Sequence, residues 1–357
     1  MLPGAIPAAP WEGLSTPSSA RRAGIPGSWP WPWPRAATRG NWRSWRPSTA
    51  AARRGPPGWP AWRPASWSWP GWTEVTTLAE TVLLEAREIE FSYPDGTPAL
   101  GGVSAGIIQG SRVAVLGPNG AGKTTFFLHL NGTLRPRRGE VRLAGERIRY
   151  DRAYLRELRR TVGIVFQDPD TQLFSANVAQ DVSFGPVNMG LPPAEVREQV
   201  RQAMAATGVA HLQDRPTHSL SYGEKKRVAL AGVLAMRPRV LICDEPLAFL
   251  DPQGQEELIE LLEAESRRGT TVVIATHDVN LAYAWADQVL VMAAGKVIGT
   301  GRPQEVFQTA GIMQQAGLPT PWILEVYREL ERQGWAAGGS PPRRKEELLA
   351  LIRQAGC

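Results

Sequence analysis

Gly117-Pro118-Asn119-Gly120-Ala121-Gly122-Lys123-Thr124-Thr125 is the stretch whose reading decides the fold. It fits the pattern G-x-x-x-x-G-K-[ST], and its flanks suit that motif. Before it, Ser111-Arg112-Val113-Ala114-Val115-Leu116 is apolar and β-branched and predicts a buried strand. After it, Thr125-Phe126-Phe127-Leu128-His129-Leu130 predicts a helix. Glycines let backbone N–H groups turn inward around an anion, where a Cβ would obstruct. The helix that follows adds its N-terminal dipole, roughly half a positive charge, against the same anion. Lys123 supplies a full charge to the β- and γ-phosphates, and the Thr124 hydroxyl is placed to ligate Mg²⁺. In this strand-and-helix setting an ordinary Gly-rich turn is the weaker reading. The stretch predicts a nucleoside triphosphate site.

The net charge of +6 over 357 residues would suggest a basic protein, but the charge is unevenly placed. Residues 1–72 hold nine Arg, no Lys and one acid, a net of +8, so the other 285 residues carry −2. The same 72 residues contain 11 of the 14 Trp and 14 of the 31 Pro, with no amphipathic period. Residues 1–74 are expected to be a disordered or untranslated extension, with a start near Val75 or Leu78. A Trp/Arg arm that stacks on bases or sits at lipid headgroups is the competing reading. Cys243 and Cys357 are not expected to pair, and a reducing compartment follows as the default. No apolar run is long enough to span a bilayer.

Outward from the loop, alternating and apolar runs predict strands at Val82–Phe91, Ala99–Ile108, Gly139–Leu143 and Val162–Phe166. Tyr93 follows the first of these, where its ring could stack on a nucleobase or simply sit in a turn. Residues 168–236 turn helical, with helices at Asn177–Phe184, Ala194–Thr207 and Tyr222–Met236, which suggests a subdomain facing something other than the nucleotide. The strand Val240–Cys243 ends in Asp244-Glu245, and α/β proteins put ligand groups at such C-terminal strand ends. Asp244 would hold Mg²⁺ and Glu245 would orient and deprotonate a water. A helix (Gln255–Arg267) leads to the strand Thr270–Thr276, which delivers His277 to the same sheet edge. A hairpin over Val289–Gly301 closes the domain, and helices Trp322–Gln333 and Lys345–Gln354 follow. The expected fold is α/β: a P-loop NTPase sheet core with an antiparallel β edge and a helical subdomain. The core domain is expected at residues 82–316 and a helical C-terminal extension at 317–357.

Together these motifs resemble the ATP-binding-cassette (ABC) ATPase family over about residues 82–310. The resemblance makes Tyr93 the adenine-stacking aromatic, Gly117–Thr125 the Walker A loop and Gln167 the Q-loop glutamine. It makes Leu220-Ser221-Tyr222-Gly223-Glu224 the LSGGQ signature, Val240–Glu245 Walker B, Leu250-Asp251 the D-loop and His277 the switch histidine. Gly117, Pro118, Asn119, Gly120, Ala121, Gly122, Lys123, Thr124 and Thr125 would then bind ATP, with Thr124, Gln167 and Asp244 on Mg²⁺. Glu245, His277 and Gln167 would be catalytic. Ser221, Gly223, Glu224 and Asp251 would meet ATP held by a partner cassette. Tyr222 and Glu224 depart from the consensus, which puts the strength of that contact in question.

Three phrases resemble the ATPase of energy-coupling-factor transporters, particularly the cobalt/nickel type. They are Phe91–Leu100, Phe166–Phe174 with Asp181–Pro186, and the run Lys225-Lys226-Arg227. That resemblance implies a second cassette subunit, a transmembrane coupling subunit, a substrate-binding membrane subunit and a peripheral place on the cytoplasmic face of the cell membrane. Leu173 and Phe174 would anchor the coupling helices. Vitamin uptake is the alternative cargo. A soluble cassette ATPase acting on nucleic acid or ribosomes is the reading of another class, and no nucleic-acid partner is expected.

Overall fold

The structure, a computed structural model, describes residues 81–335 and 340–354. The expectations for residues 1–74 lie outside these. β1 (Val82–Ser92) and β2 (Pro98–Ile108) pair antiparallel around a turn in which the Tyr93 N–H donates to the Thr97 carbonyl at 2.9 Å. β3 (Arg112–Leu116) enters a second sheet and gives way, through the glycine-rich loop, to α1 (Lys123–Leu130). β4 (Arg138–Leu143) and β5 (Glu146–Arg147) return to the first sheet, whose order is β2-β1-β4-β5 with every pairing antiparallel. α2 (Arg152–Thr161) is capped by Asp151 and runs straight into β6 (Val162–Val165).

Three helices follow before the sheet resumes: α3 (Val178–Asn188), α4 (Pro193–Ala206) and α5 (Tyr222–Leu234). The chain then runs through β7 (Val240–Asp244), α6 (Pro252–Arg267), β8 (Thr271–Thr276), α7 (Val279–Trp285) and the hairpin of β9 (Gln288–Ala293) with β10 (Lys296–Gly301). The second sheet has the order β10-β9-β3-β8-β7-β6, parallel except for β10. Among the described residues four helices follow: α8 (Pro303–Gln308), α9 (Ile312–Ala316), α10 (Trp322–Arg332) and α11 (Lys345–Gln354).

The apolar runs that predicted parallel strands are buried on both faces, as a covered parallel sheet requires. β3 shows how one strand serves two cores. Val113 and Val115 join Phe126, Phe127, Leu84 and Ile89 on one side, while Ala114 and Leu116 join Leu241, Val228 and Leu230 on the other. That is the period-2 alternation of a strand read inside an uninterrupted apolar run. The described residues belong to one compact unit. Ile323, Leu324, Tyr327 and Leu330 of α10 pack in the same core as Val289 and Val291 of β9.

Where the sequence reading placed an element its type holds, with boundaries within four residues, and the two-residue strand β5 is not anticipated. α6 starts at Pro252 rather than Gln255 because Asp251 caps it, its side chain accepting from the Gly254 N–H at 2.8 Å. α7, α8 and α9 are not anticipated by the sequence reading. At seven, six and five residues they are too short to display a helical period.

Candidate nucleotide site

The glycine-rich loop is built so that only glycine fits at its hinge into α1. Gly122 has φ +98°, and a Cβ there would lie 2.8 Å from the Ala99 carbonyl oxygen. As the residue preceding α1 it offers no side-chain cap, which leaves the first-turn N–H groups of Lys123 onward turned toward the loop. The β9–β10 turn holds the loop from behind: the Gly295 N–H donates to the Ala121 carbonyl (3.1 Å), and Gly101 of β2 steadies that turn by donating to the Gly295 carbonyl (2.9 Å). Tyr93 lies against the first turn of α1, its hydroxyl 2.8 Å from Thr125 Oγ1 and its ring edge-on to Phe91.

The parallel order β3-β8-β7 brings the ends of three strands together. Lys123, 7% exposed, donates from Nζ to the Gly117 (2.7 Å) and Pro118 (3.3 Å) carbonyls and lies 3.6 Å from Glu245 Oε1. The Thr124 hydroxyl donates to Asp244 Oδ2. His277 Nδ1 is 3.2 Å from Glu245 Oε2. A carboxylate only accepts, so in this contact the imidazole carries the proton on Nδ1. Glu245 Oε1 is buried without a hydrogen-bond partner, which leaves a lone pair for a donor arriving from solvent or ligand. Glu245 also sits at φ +45°, a left-handed conformation unusual for a residue with a Cβ.

Burial raises the Asp244 carboxyl above the ordinary aspartate value and neighbouring Glu245 adds to this, while the Thr124 hydroxyl and Lys123 oppose it. A bound cation would offset that desolvation by favouring the ionised carboxylate. Among the described residues no cluster of three or more His, Cys, Asp or Glu could hold a metal unaided. One hydroxyl beside one carboxylate does fit Mg²⁺, which is usually held by one or two protein oxygens plus substrate phosphates and water.

The other site residues fall outside this cluster. Ser221 caps α5: its Oγ accepts from Glu224 N–H (3.3 Å), and Glu224 Oε2 accepts from Ser221 N–H (2.7 Å), a complete capping box. The Glu224 carboxylate is thus engaged within its own chain, and Asp251 likewise caps α6. Gly223 lies in the first turn of α5. Gln167 follows β6 by two residues, its side chain exposed and its carbonyl accepting from the Tyr222 hydroxyl at 3.1 Å. Sequence reasoning missed two participants. Lys226 is buried beneath the Asp244-Glu245 corner, and burial pushes its ammonium down to about 8. Tyr222 lies over it, and their i, i+4 spacing in a helix is the signal that could have paired them.

Comparison with known proteins agrees with this geometry. The ABC transporter family model matches residues 100–248. The energy-coupling factor transporter ATP-binding protein of Methanocaldococcus jannaschii is 46% identical over 251 residues, 70% of this chain and 90% of that one. An ABC transporter ATP-binding protein of Methanosarcina mazei is 47% identical over 272 residues, which span 76% of this chain and only 60% of that protein. Among solved structures, cbiO1 from Clostridium perfringens, part of the ABC transporter complex cbiONQ, superposes with a TM-score of 0.60 at 47% identity. The match covers 71% of this chain and 98% of cbiO1. A dimeric ATP-binding cassette bound to ADP and phosphate, 24% identical with a TM-score of 0.57, shares the fold. The chain belongs to the ABC transporter family, as an ATP-binding, ATP-hydrolysing subunit.

Proposed function

We propose that the chain powers an energy-coupling-factor importer from the cytoplasmic face of the membrane, by closing on ATP against a second cassette and reopening after hydrolysis. The observation that carries the hydrolytic part is the meeting of Lys123, Thr124, Asp244, Glu245 and His277 at one sheet edge. Lys123 and the loop N–H groups bind the triphosphate, and the signature of the second cassette, Ser221 and Gly223 in a second copy, closes over it. Thr124 and Asp244 would hold Mg²⁺, which when bound neutralises charge on the phosphate oxygens; Gln167 would join them on closure. Water attacks the γ-phosphorus in line, the bond to the β,γ-bridging oxygen breaks, and the water proton passes to Glu245 Oε1. His277 holds Oε2 and so fixes the carboxylate's orientation. Catalysis of this kind is positioning and charge stabilisation.

The importer reading is supported by the relatives' identity and by a groove of about 730 Å³ between α2, α3 and α5. Arg152, Arg156 and Arg160 line one wall, and Phe174, Phe184 and Met236 line the other. Such a groove suits an amphipathic helix of a membrane subunit. Among the described residues no helix is long and apolar enough to cross a membrane itself. Cobalt or nickel is the cargo we favour from the sequence phrases, and a vitamin cargo fits this chain equally well, because cargo binds elsewhere in the assembly.

Glu245→Gln tests the hydrolytic reading. It keeps size and hydrogen bonding but removes the proton acceptor, so ATP binding should persist while turnover falls about 10²–10⁴-fold. The variant should accumulate as an ATP-filled dimer on size exclusion. Turnover near the wild-type rate would show that another group handles the water.

A further inference from the structure

The run Lys225-Lys226-Arg227 divides into three different environments. Lys225 pairs with Asp170 at 2.6 Å and Arg227 with Glu257, both acids on the surface. Lys226 turns inward, 5% exposed, and its Nζ donates to the carbonyls of Glu245 (3.1 Å), Pro246 (2.8 Å) and Ala248 (2.8 Å). An ammonium has three N–H donors and no acceptor, so these carbonyls take its whole donor capacity. One helical turn earlier, the Tyr222 ring covers the ammonium, 5.5 Å from Nζ to centroid. The Tyr222 hydroxyl donates to the Gln167 carbonyl, and Phe249 meets the ring edge-on at 5.5 Å.

The three carbonyls belong to the turn that carries Glu245. That turn is bracketed by two left-handed residues with Cβ atoms, Glu245 (φ +45°) and Phe249 (φ +63°), which the backbone does not favour by itself. Three carbonyl oxygens converging on one point also repel each other unless a cation or donor lies between them. Lys226 therefore stabilises the one backbone arrangement that sets where the Glu245 side chain leaves the chain. We propose that Lys226, braced by Tyr222, is a positioning residue for ATP hydrolysis: it holds the Glu245–Ala248 turn so that the Glu245 carboxylate faces the γ-phosphate position, and it ties that turn to the signature helix and to Gln167. The inference rests on the reading of Glu245 as the group that takes the water proton. It also gives Tyr222, the departure from the signature consensus, a task of its own.

The test uses the full chain with ATP and Mg²⁺. Lys226→Met keeps the stem and removes the donors. It should lower kcat at least tenfold while KM for ATP moves less than threefold, since the phosphate loop is untouched. Lys226→Gln restores two donors and should recover part of the loss, and Lys225→Met should leave kcat within twofold. Lys226→Met placed on Glu245→Gln should cost nothing further in single-turnover rate, because the lysine acts through that carboxylate. A general structural role would lower the rate again in the double variant. Wild-type kcat in Lys226→Met, or a rise in KM at unchanged kcat, overturns the proposal. If Lys226→Met does not fold, Tyr222→Leu decides: a several-fold loss of kcat at constant KM supports the proposal, and an unchanged kcat overturns it. The two readings fail separately. A fully active Glu245→Gln removes the general-base reading, whereas an inactive Glu245→Gln beside a fully active Lys226→Met removes only this one.

Discussion

His129 shows how a buried titratable side chain on the helix behind the phosphate loop makes stability depend on pH. It sits on α1, fully buried, with Nδ1 2.7 Å from the Thr125 carbonyl and Nε2 without a partner. Burial lowers its pKa below the ordinary 6.5, with the Thr125 carbonyl opposing. The unfolded chain therefore binds this proton more tightly than the folded one. Stability is whole above about pH 6.5 and is lost as pH falls through the unfolded value toward the lowered one, by up to about 1.4 kcal/mol per pH unit. Urea midpoints at pH 7.5, 6.0 and 5.0 should fall in the wild type and fall less in His129→Gln. Parallel slopes would remove His129 as the source. At this scale the sequence was legible wherever a residue's position follows from its place in a local motif. Lys123, Thr124, Asp244, Glu245 and His277 all sit at the end of a strand or the start of a helix, and parallel pairing gathers them. Tyr222 and Lys226 were not legible, because their partners lie 55 and about 20 residues away and only the fold brings them near.

At the level of elements, the helical insert was legible and its exposed face was not. Leu173 and Phe174 read from sequence as two anchors for a membrane partner. In the structure Leu173 packs against the core, and the exposed companion of Phe174 (64%) is Phe184 on α3 (50%), edge-on at 4.6 Å. Asp181 fixes the arrangement by accepting from the Phe174 (3.0 Å) and Ser175 (2.8 Å) N–H groups. Changing Phe174 and Phe184 together to Ser should leave thermal stability and ATP binding nearly unaltered, since both rings already face solvent. It should weaken co-purification with membrane subunits more than tenfold, as burying each ring is worth about 1.5–3 kcal/mol. Undiminished co-purification would move the docking face off this groove.

For the molecule as a whole, the C-terminal helices are joined to the catalytic sheet through α7, the helix that begins directly after His277 and Asp278. Asp278 caps its first turn, and the Arg343 guanidinium takes its last: Nε donates to the Tyr283 carbonyl (2.9 Å) and Nη2 to those of Ala284 (3.3 Å) and Ala286. A cation on the final carbonyls of a helix opposes the negative end of its dipole. Asn280 receives the Trp322 N–H at 3.0 Å, so α10 also begins on α7. The sequence reading set residues 317–357 apart as a helical extension following the closing hairpin, because a reading along the chain is blind to such contacts. Arg343→Met should leave the α7 carbonyls unpaired and cost about 2–4 kcal/mol, taking each charged hydrogen bond at about 1.5–3 kcal/mol with incomplete additivity. The loss should appear as a lower urea midpoint with cooperative unfolding retained. KM for ATP should be unaltered and kcat should change less than twofold, because Asp278 still caps the end of α7 nearest His277. A large loss of kcat at undiminished stability would mean that the C-terminal helices act on His277 rather than merely holding the helix behind it.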